Sequence, residues 1–213
     1  MDNLGHKRQS YERDTLDRED LASDPIQQFA QWYADADQVG ITEPNAMALA
    51  SADSNGKPSV RIVLLKGFGE RGFAFYTNYE SRKGKELAEN PHAALVFWWG
   101  KLQRQIRIEG HIEKLSKEES EKYFQSRPRG SQLSAAASPQ SRIVSKEELM
   151  TLRDNTEQKF EQEDIIPKPE AWGGYVLIPE KIEFWQGRRN RYHDRFQYCR
   201  DEDKSWSINR LAP

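Results

Sequence analysis

Apolar and polar positions alternate with a two-residue period along much of residues 46–110 and again within 175–198, and this alternation predicts half-buried strands. The expected strands run over 46–52, 58–66, 72–78, 92–99 and 103–114, the first two joined by the turn Ser54-Asn55-Gly56-Lys57, whose Asn-Gly pair favours a tight hairpin. Asp24-Pro25 reads as an N-cap with proline in the first helical turn; Ile26, Phe29, Ala30 and Tyr33 follow at helical spacing until Gly40. A short helix is expected over 81–90, stopped by Pro91. Two more helices open on capping boxes, Ser116 with Glu119 and Ser145 with Glu148, in which serine and glutamate satisfy each other's free backbone donors. Between them lies a stretch rich in Gly, Ser, Ala and Pro from 130 to 141. Strand character returns over 175–178, 182–185 and 192–198, expected to rejoin the first sheet. The pattern predicts an α+β fold dominated by antiparallel β, a barrel-like meander with a few peripheral helices. Residues 1–23, densely charged and poor in large apolar groups, are expected to form a mobile arm, and 24–213 a single domain.

Composition narrows the function classes. With 32 Lys+Arg against 34 Asp+Glu there is no global positive field to hold nucleic acid or an anionic membrane. Mean hydropathy is low at −0.93, yet six Trp, eight Tyr and nine Phe supply large burial units. The longest apolar run, 93–99, falls far below the ~20 residues of a membrane span. Without an apolar leader at the N-terminus, and with Cys199 as the only cysteine, a reducing cytoplasm is expected. The four histidines are scattered, so no metal site is expected.

One motif is a decoy. Gly67-Phe-Gly69-Glu-Arg-Gly72 matches the dinucleotide fingerprint, but that fingerprint must open a helix, whereas Phe73-Ala-Phe75-Tyr-Thr77 alternates as a strand; a hairpin turn is expected. The basic residues are more telling. Arg61 and Lys66 flank the apolar run Ile62-Val-Leu-Leu65, and Arg82-Lys83 open the 81–90 helix. A phosphate would satisfy them; so would a carboxylate for Arg61 and solvent for the helix start at Arg82-Lys83. A five-residue step puts Arg61 and Lys66 on opposite faces of one strand unless a bulge or the strand end turns Lys66. In the cluster 188–195, a strand would align Arg191, His193 and Arg195 on one face, either as a donor row or as a solvated edge.

The ordered set Glu43-Pro-Asn-Ala-Met47, Arg61-Ile-Val-Leu-Leu-Lys66, Phe75-Tyr-Thr-Asn78 with Ser81-Arg-Lys83, Tyr123-Phe-x-Ser-Arg127-Pro-Arg129-x-Ser131-Gln132, Gln140-Ser141, Glu183-Phe-Trp-Gln-Gly187 and Arg191-x-His193-Asp194-Arg195 resembles the pyridoxamine 5′-phosphate oxidase family, FMN enzymes of vitamin B6 metabolism with a split-barrel fold. The resemblance implies FMN contacts from Arg61, Lys66, Tyr76, Thr77, Arg82, Lys83, Gln105, Gln140, Ser141, Trp185 and Arg195. It implies substrate contacts from Lys66, Tyr123, Arg127 and Ser131 at the phosphate, with Arg191 and His193, the implied catalytic pair, over the pyridine ring. Arg8 and Tyr11 match the family's closing segment, which would make the arm a lid over the active site. Tyr192 departs from the leucine expected of the family. Also implied are a homodimer with FMN sites at the subunit interface, and oxidation of pyridoxamine or pyridoxine 5′-phosphate to pyridoxal 5′-phosphate by hydride transfer to FMN, dioxygen accepting the electrons and hydrogen peroxide leaving. A nicotinamide-dependent split-barrel flavin reductase and a non-catalytic FMN or pyridoxal-phosphate binder are the rival readings; a nucleic-acid module would need a basic balance this chain lacks.

Overall fold

Burial follows the alternation read from the sequence. In a computed structural model, which describes Leu4, His6, Lys7 and residues 9–213, β1 (Ala46–Ala52) buries Met47, Leu49 and Ser51, and β6 (Arg104–Lys114) buries Arg104, Ile106, Ile108, Gly110 and Ile112. The other strands are β2 (Pro58–Leu64), β3 (Gly67–Gly69), β4 (Gly72–Asn78), β5 (His92–Trp99), β7 (Trp172–Gln186), β8 (Asp194–Arg200) and β9 (Trp206–Arg210). The helices are α1 (Pro25–Gln38), α2 (Arg82–Glu89), α3 (Lys117–Ser126), α4 (Arg129–Ala137) and α5 (Lys146–Lys159). The strand order is β2-β1-β5-β6-β7-β4-β3, with β8 on β7 and β9 on β8. This is not a simple meander, because the late strand β7 pairs with β4 and separates it from β6. No helix among the described residues is long and apolar enough to cross a membrane.

Four segments differ from the sequence reading. The stretch expected to be irregular contains α4, whose Ala and Ser residues tolerate a helix once Pro128 has set its start. The strands expected over 175–178 and 182–185 are one continuous β7. Pro179 falls between the ladder to β4, which ends at Leu177, and the ladder to β8, which starts at Lys181. β9 was not anticipated. Finally, 188–193 is not strand: Arg189–Arg191 is a 3-10 turn in which Asn190 and Arg191 take φ of 54° and 64°. The one-face alignment of Arg191, His193 and Arg195 therefore does not hold, and only Arg195 lies in β8.

Packing divides the chain into two compact units. Unit 1 comprises Met1–Leu49, Ala94–Gly110 and Pro179–Pro213. Its core sets Phe29 of α1 edge-on to Phe97 at 5.2 Å and Trp32 edge-on to Phe184 at 5.1 Å. Arg104, nearly buried, stacks on Trp32 at 4.4 Å and donates to Asp35, Asp14 and Gln186. The segment read as an arm packs here: Leu16 is 3% exposed, its N–H donates to Asp194, and the Gln103 carbonyl oxygen Oε1 accepts the N–H groups of Glu12 and Arg13.

Unit 2 comprises Ala50–Ala93 and His111–Ile178. Its β4–β7 ladder sets Phe73 opposite Leu177, Phe75 opposite Tyr175 and Thr77 opposite Gly173. A second cluster gathers Phe124, Phe160, Ile166 and Trp172. Gly67–Gly69 and β4 form the hairpin expected in place of a dinucleotide loop. Gly72 needs its glycine, since it sits at φ 129° and a Cβ would overlap the Leu177 carbonyl. Gly72→Ala is expected to cost more than about 2 kcal/mol in denaturant unfolding, whereas Gly67→Ala, with open space around its Cβ, should change stability by less than about 1 kcal/mol.

Candidate functional site

Strand β2 inverts the usual pattern: Val60 and Ile62 are 69% and 67% exposed, while Ser59, Arg61 and Val63 turn inward. The inward Arg61 meets a carboxylate at once. Its Nη1 donates to Ser51 Oγ at 2.6 Å and its Nη2 to Ser59 Oγ and to Glu86 Oε2, the latter at 3.1 Å. Glu86, with a side chain 7% exposed, also accepts from Ser51 Oγ at 2.6 Å and from Arg82 Nε at 2.8 Å. Burial pushes the Glu86 carboxyl up, but its bonds from Ser51, Ser59, Arg82 and Arg61 outweigh that and bring its pKa to about 2. Arg82, on the solvent side, is the exposed arm of this hub.

On the same unit a cavity of about 370 Å³ is lined by Arg61, Lys66, Tyr76, Thr77, Lys83, Tyr123, Arg127 and Gln140 among the expected site residues. Lys66 reaches it because β2 ends at Leu64 and the chain turns into β3, with the Lys66 N–H on the Ala74 carbonyl; the strand end resolves the opposite-face problem. Lys83 Nζ donates to Thr77 Oγ1 at 3.2 Å and to Gln140 Oε1 at 3.0 Å. Burial, then the nearby Arg61, push the Lys83 ammonium below its ordinary value. Tyr76 stacks on Tyr123 at 3.9 Å and on Trp172 at 5.3 Å. Arg127 caps α3, lies over Trp172 at 4.9 Å, and leaves its buried Nη1 without a hydrogen-bond partner. Arg82, Ser131 and Ser141 do not line this cavity: Ser131 lies in the first turn of α4, and Ser141 is exposed with φ 71°.

The remaining expected residues belong to unit 1. Trp185 on β7 stands opposite Arg195 on β8, and Arg195 Nε donates to Glu183 at 2.8 Å. That bond holds the guanidinium above its ordinary value. Trp185 lies 4.5 Å from the His193 ring and 5.8 Å, edge-on, from Tyr11. His193 Nδ1 accepts the Arg188 N–H at 3.1 Å, so the neutral ring carries its proton on Nε2. Burial, then Arg191 and Arg195, push the imidazole below its ordinary value. Gln105 is half-buried on β6, Arg191 is exposed in the turn, Tyr192 is 75% exposed, and Arg8 lies outside the described residues.

Two contributors escaped the sequence reading. Glu86 carried a legible signal, four residues after Arg82 on one helix face. Trp172 carried none, because its role depends on α3, far away in sequence.

The sequence profile described as pyridoxamine 5′-phosphate oxidase matches residues 34–158, and that of the pyridoxine 5′-phosphate oxidase C-terminal dimerisation region matches 172–213. A Salinibacter ruber protein named pyridoxine/pyridoxamine 5′-phosphate oxidase is 54% identical over 215 residues, spanning 100% of both chains; a Burkholderia lata protein of that name is 50% identical over the same span. Among solved structures, PhzG from Burkholderia lata 383, in complex with tetrahydrophenazine-1-carboxylic acid, aligns with a TM-score of 0.87 at 33% identity, covering 94% of this chain and 98% of its own. A pyridoxamine 5′-phosphate oxidase-related, FMN binding protein from Nostoc punctiforme shares the fold, with a TM-score of 0.72 at 18% identity over 91% of this chain and 100% of its own.

The Glu86 hub sets an acid limit. Because folding lowers its pKa from 4.5 to about 2, its contribution to stability is complete above about pH 4.5 and is lost as pH falls towards 2. Glu86→Gln should flatten that part of the acid-unfolding curve and cost on the order of 2 kcal/mol at pH 7, measured by urea titration at both ends of the range.

Proposed function

The chain belongs to the pyridoxamine 5′-phosphate oxidase family, and on that premise we propose that it oxidises pyridoxamine 5′-phosphate and pyridoxine 5′-phosphate to pyridoxal 5′-phosphate, with dioxygen as electron acceptor and hydrogen peroxide as the second product. It is an FMN-dependent oxidoreductase with a split β-barrel fold. The observation that carries the substrate reading is the cavity where Arg61, Lys66, Lys83 and Arg127 converge, one of them with a buried donor still unmatched. Such a chamber suits phosphate groups, whose charge would draw Lys83 back towards its ordinary basicity.

The donor set also fits FMN: Arg61, its orientation fixed by Glu86, with Lys83, Thr77 and Gln140, would hold the cofactor phosphate and its neighbouring hydroxyls. Bound FMN supplies a two-electron acceptor that dioxygen regenerates. Lys66, Arg82 and Ser141 complete the proposed FMN set in unit 2, and Tyr76 contributes ring surface. Gln105, Trp185 and Arg195 are the proposed unit 1 contributors, Arg195 bringing a fixed cation that favours an electron-rich ring. Lys66, Tyr123, Arg127 and Ser131 would take the substrate phosphate. Arg191 would hold the pyridine ring, and the neutral His193, its Nδ1 occupied, would offer Nε2–H to a substrate polar group. Both act by alignment, and neither need take a proton. Tyr11, beside Trp185 and His193, would exclude water from their side. A homodimer with FMN sites at the subunit interface accords with the C-terminal dimerisation region and with the exposed apolar edge Val60 and Ile62.

The deciding assay follows pyridoxal 5′-phosphate and hydrogen peroxide together from the FMN-saturated protein in air. Equal yields are expected; bound flavin without product would turn the reading to a carrier or to a reductase with another donor. Arg191→Met should lower kcat by at least about 10-fold, the scale of a lost alignment contact, while FMN affinity by fluorescence titration stays within about twofold of wild type, a difference below about 0.4 kcal/mol.

A further inference from the structure

Arg127 differs from Arg61, Arg82 and Arg195 in what holds it. Arg61 and Arg82 are held by Glu86, and Arg195 by Glu183, but Arg127 has no carboxylate partner among the described residues. Its guanidinium lies over Trp172 at 4.9 Å and near Phe124 at 5.8 Å, and its buried Nη1 is unpaired. An aromatic face holds a guanidinium by its flat side and leaves the in-plane N–H groups unused, whereas a carboxylate would take those donors itself. Trp172 is well placed for this. It is 6% exposed, packed edge-on against Phe124 at 5.1 Å, and its carbonyl accepts Lys168 Nζ at 3.0 Å. It also lies parallel to Tyr76 and to Tyr123, at 5.3 Å and 6.2 Å, so one indole orients both Arg127 and the Tyr123 ring beside it.

We propose that Trp172 is a positioning residue for the substrate phosphate, holding Arg127 by its face so that the guanidinium edge stays available to the anion. The proposal rests on the oxidase reading above for its substrate, and on this geometry alone for the phosphate. It makes Trp172 a determinant of selectivity for phosphorylated over unphosphorylated pyridoxamine, acting through Arg127.

The test compares FMN-loaded wild type, Trp172→Phe, Trp172→Leu, Arg127→Met and the Trp172→Leu/Arg127→Met double variant, each checked for native circular dichroism. Trp172→Leu should raise the KM for pyridoxamine 5′-phosphate and the inhibition constant of inorganic phosphate roughly five- to thirtyfold, the range of a desolvated cation–π contact. Its kcat and its KM for unphosphorylated pyridoxamine should stay within about twofold, the scale of a lost phosphate contact that leaves the reacting atoms untouched. Trp172→Phe, with a weaker ring face, should fall between wild type and Trp172→Leu, and it decides the matter if the leucine variant does not fold. In the Arg127→Met background the leucine change should add less than about twofold, because the two act as one unit. A loss confined to kcat, or an undiminished effect without Arg127, overturns the proposal. Equilibrium dialysis with inorganic phosphate separates the two readings. Phosphate binding that depends on Trp172 in a protein without turnover would sink the oxidase reading alone. Turnover with phosphate affinity indifferent to Trp172 would sink the positioning role alone.

Discussion

Gathering cations around one chamber raises the free energy of the folded protein before any anion arrives, and the arrangement of unit 2 follows from how that repulsion is contained. Glu86 takes four donors from three elements, β1, β2 and α2, and so fixes Arg61 at the cavity wall with Arg82 outside it. Lys83, pushed below its ordinary basicity by burial first and by Arg61 second, leans on the neutral acceptors Thr77 and Gln140. Arg127 is set by ring faces instead of charge. Three cations are thus held in three different ways, each leaving a different amount of binding capacity.

Unit 1 meets a related constraint with buried carboxylates. Glu183, 4% exposed, accepts from Arg107 and Arg195, while Asp194 accepts from Arg188, Arg210 and the Leu16 N–H. These pairs fix the ends of β7 and β8, where Trp185 and Arg195 stand, with His193 just ahead of β8. Burial pushes Asp194 up, but the Leu16, Arg188 and Arg210 bonds hold it below its ordinary value, so it stays ionised across the physiological range. The polar network therefore does positional work that an apolar core of the same size would not specify.

Much of the fold was legible because its cues are local. The strands β1, β4 and β5 begin and end where alternation and turn residues put them, and the capping serines 116 and 145 start α3 and α5 as read. Where local cues were silent or conflicting, the reading strayed: α4 hid in a stretch of small residues, Pro179 disguised a continuous β7, and the backbone at Asn190 and Arg191 left the strand conformation that alternation suggested.

For the site, the order of residues already supplies the side chains able to do chemistry: the basic residues 61, 66, 82, 83 and 127, and the ring and imidazole at 185 and 193. What each one meets is set by packing between elements distant in the chain. Arg61 finds Glu86 25 residues away, Arg195 finds Glu183 across a strand pair, Lys66 turns with the end of β2, and Arg127 lies over a tryptophan 45 positions along. Periodicity assigns a side chain to a face of its own element, but a buried charge is satisfied by whatever the packing of other elements brings within about 3 Å of it. That partner is chosen by three-dimensional closure and leaves no period in the sequence.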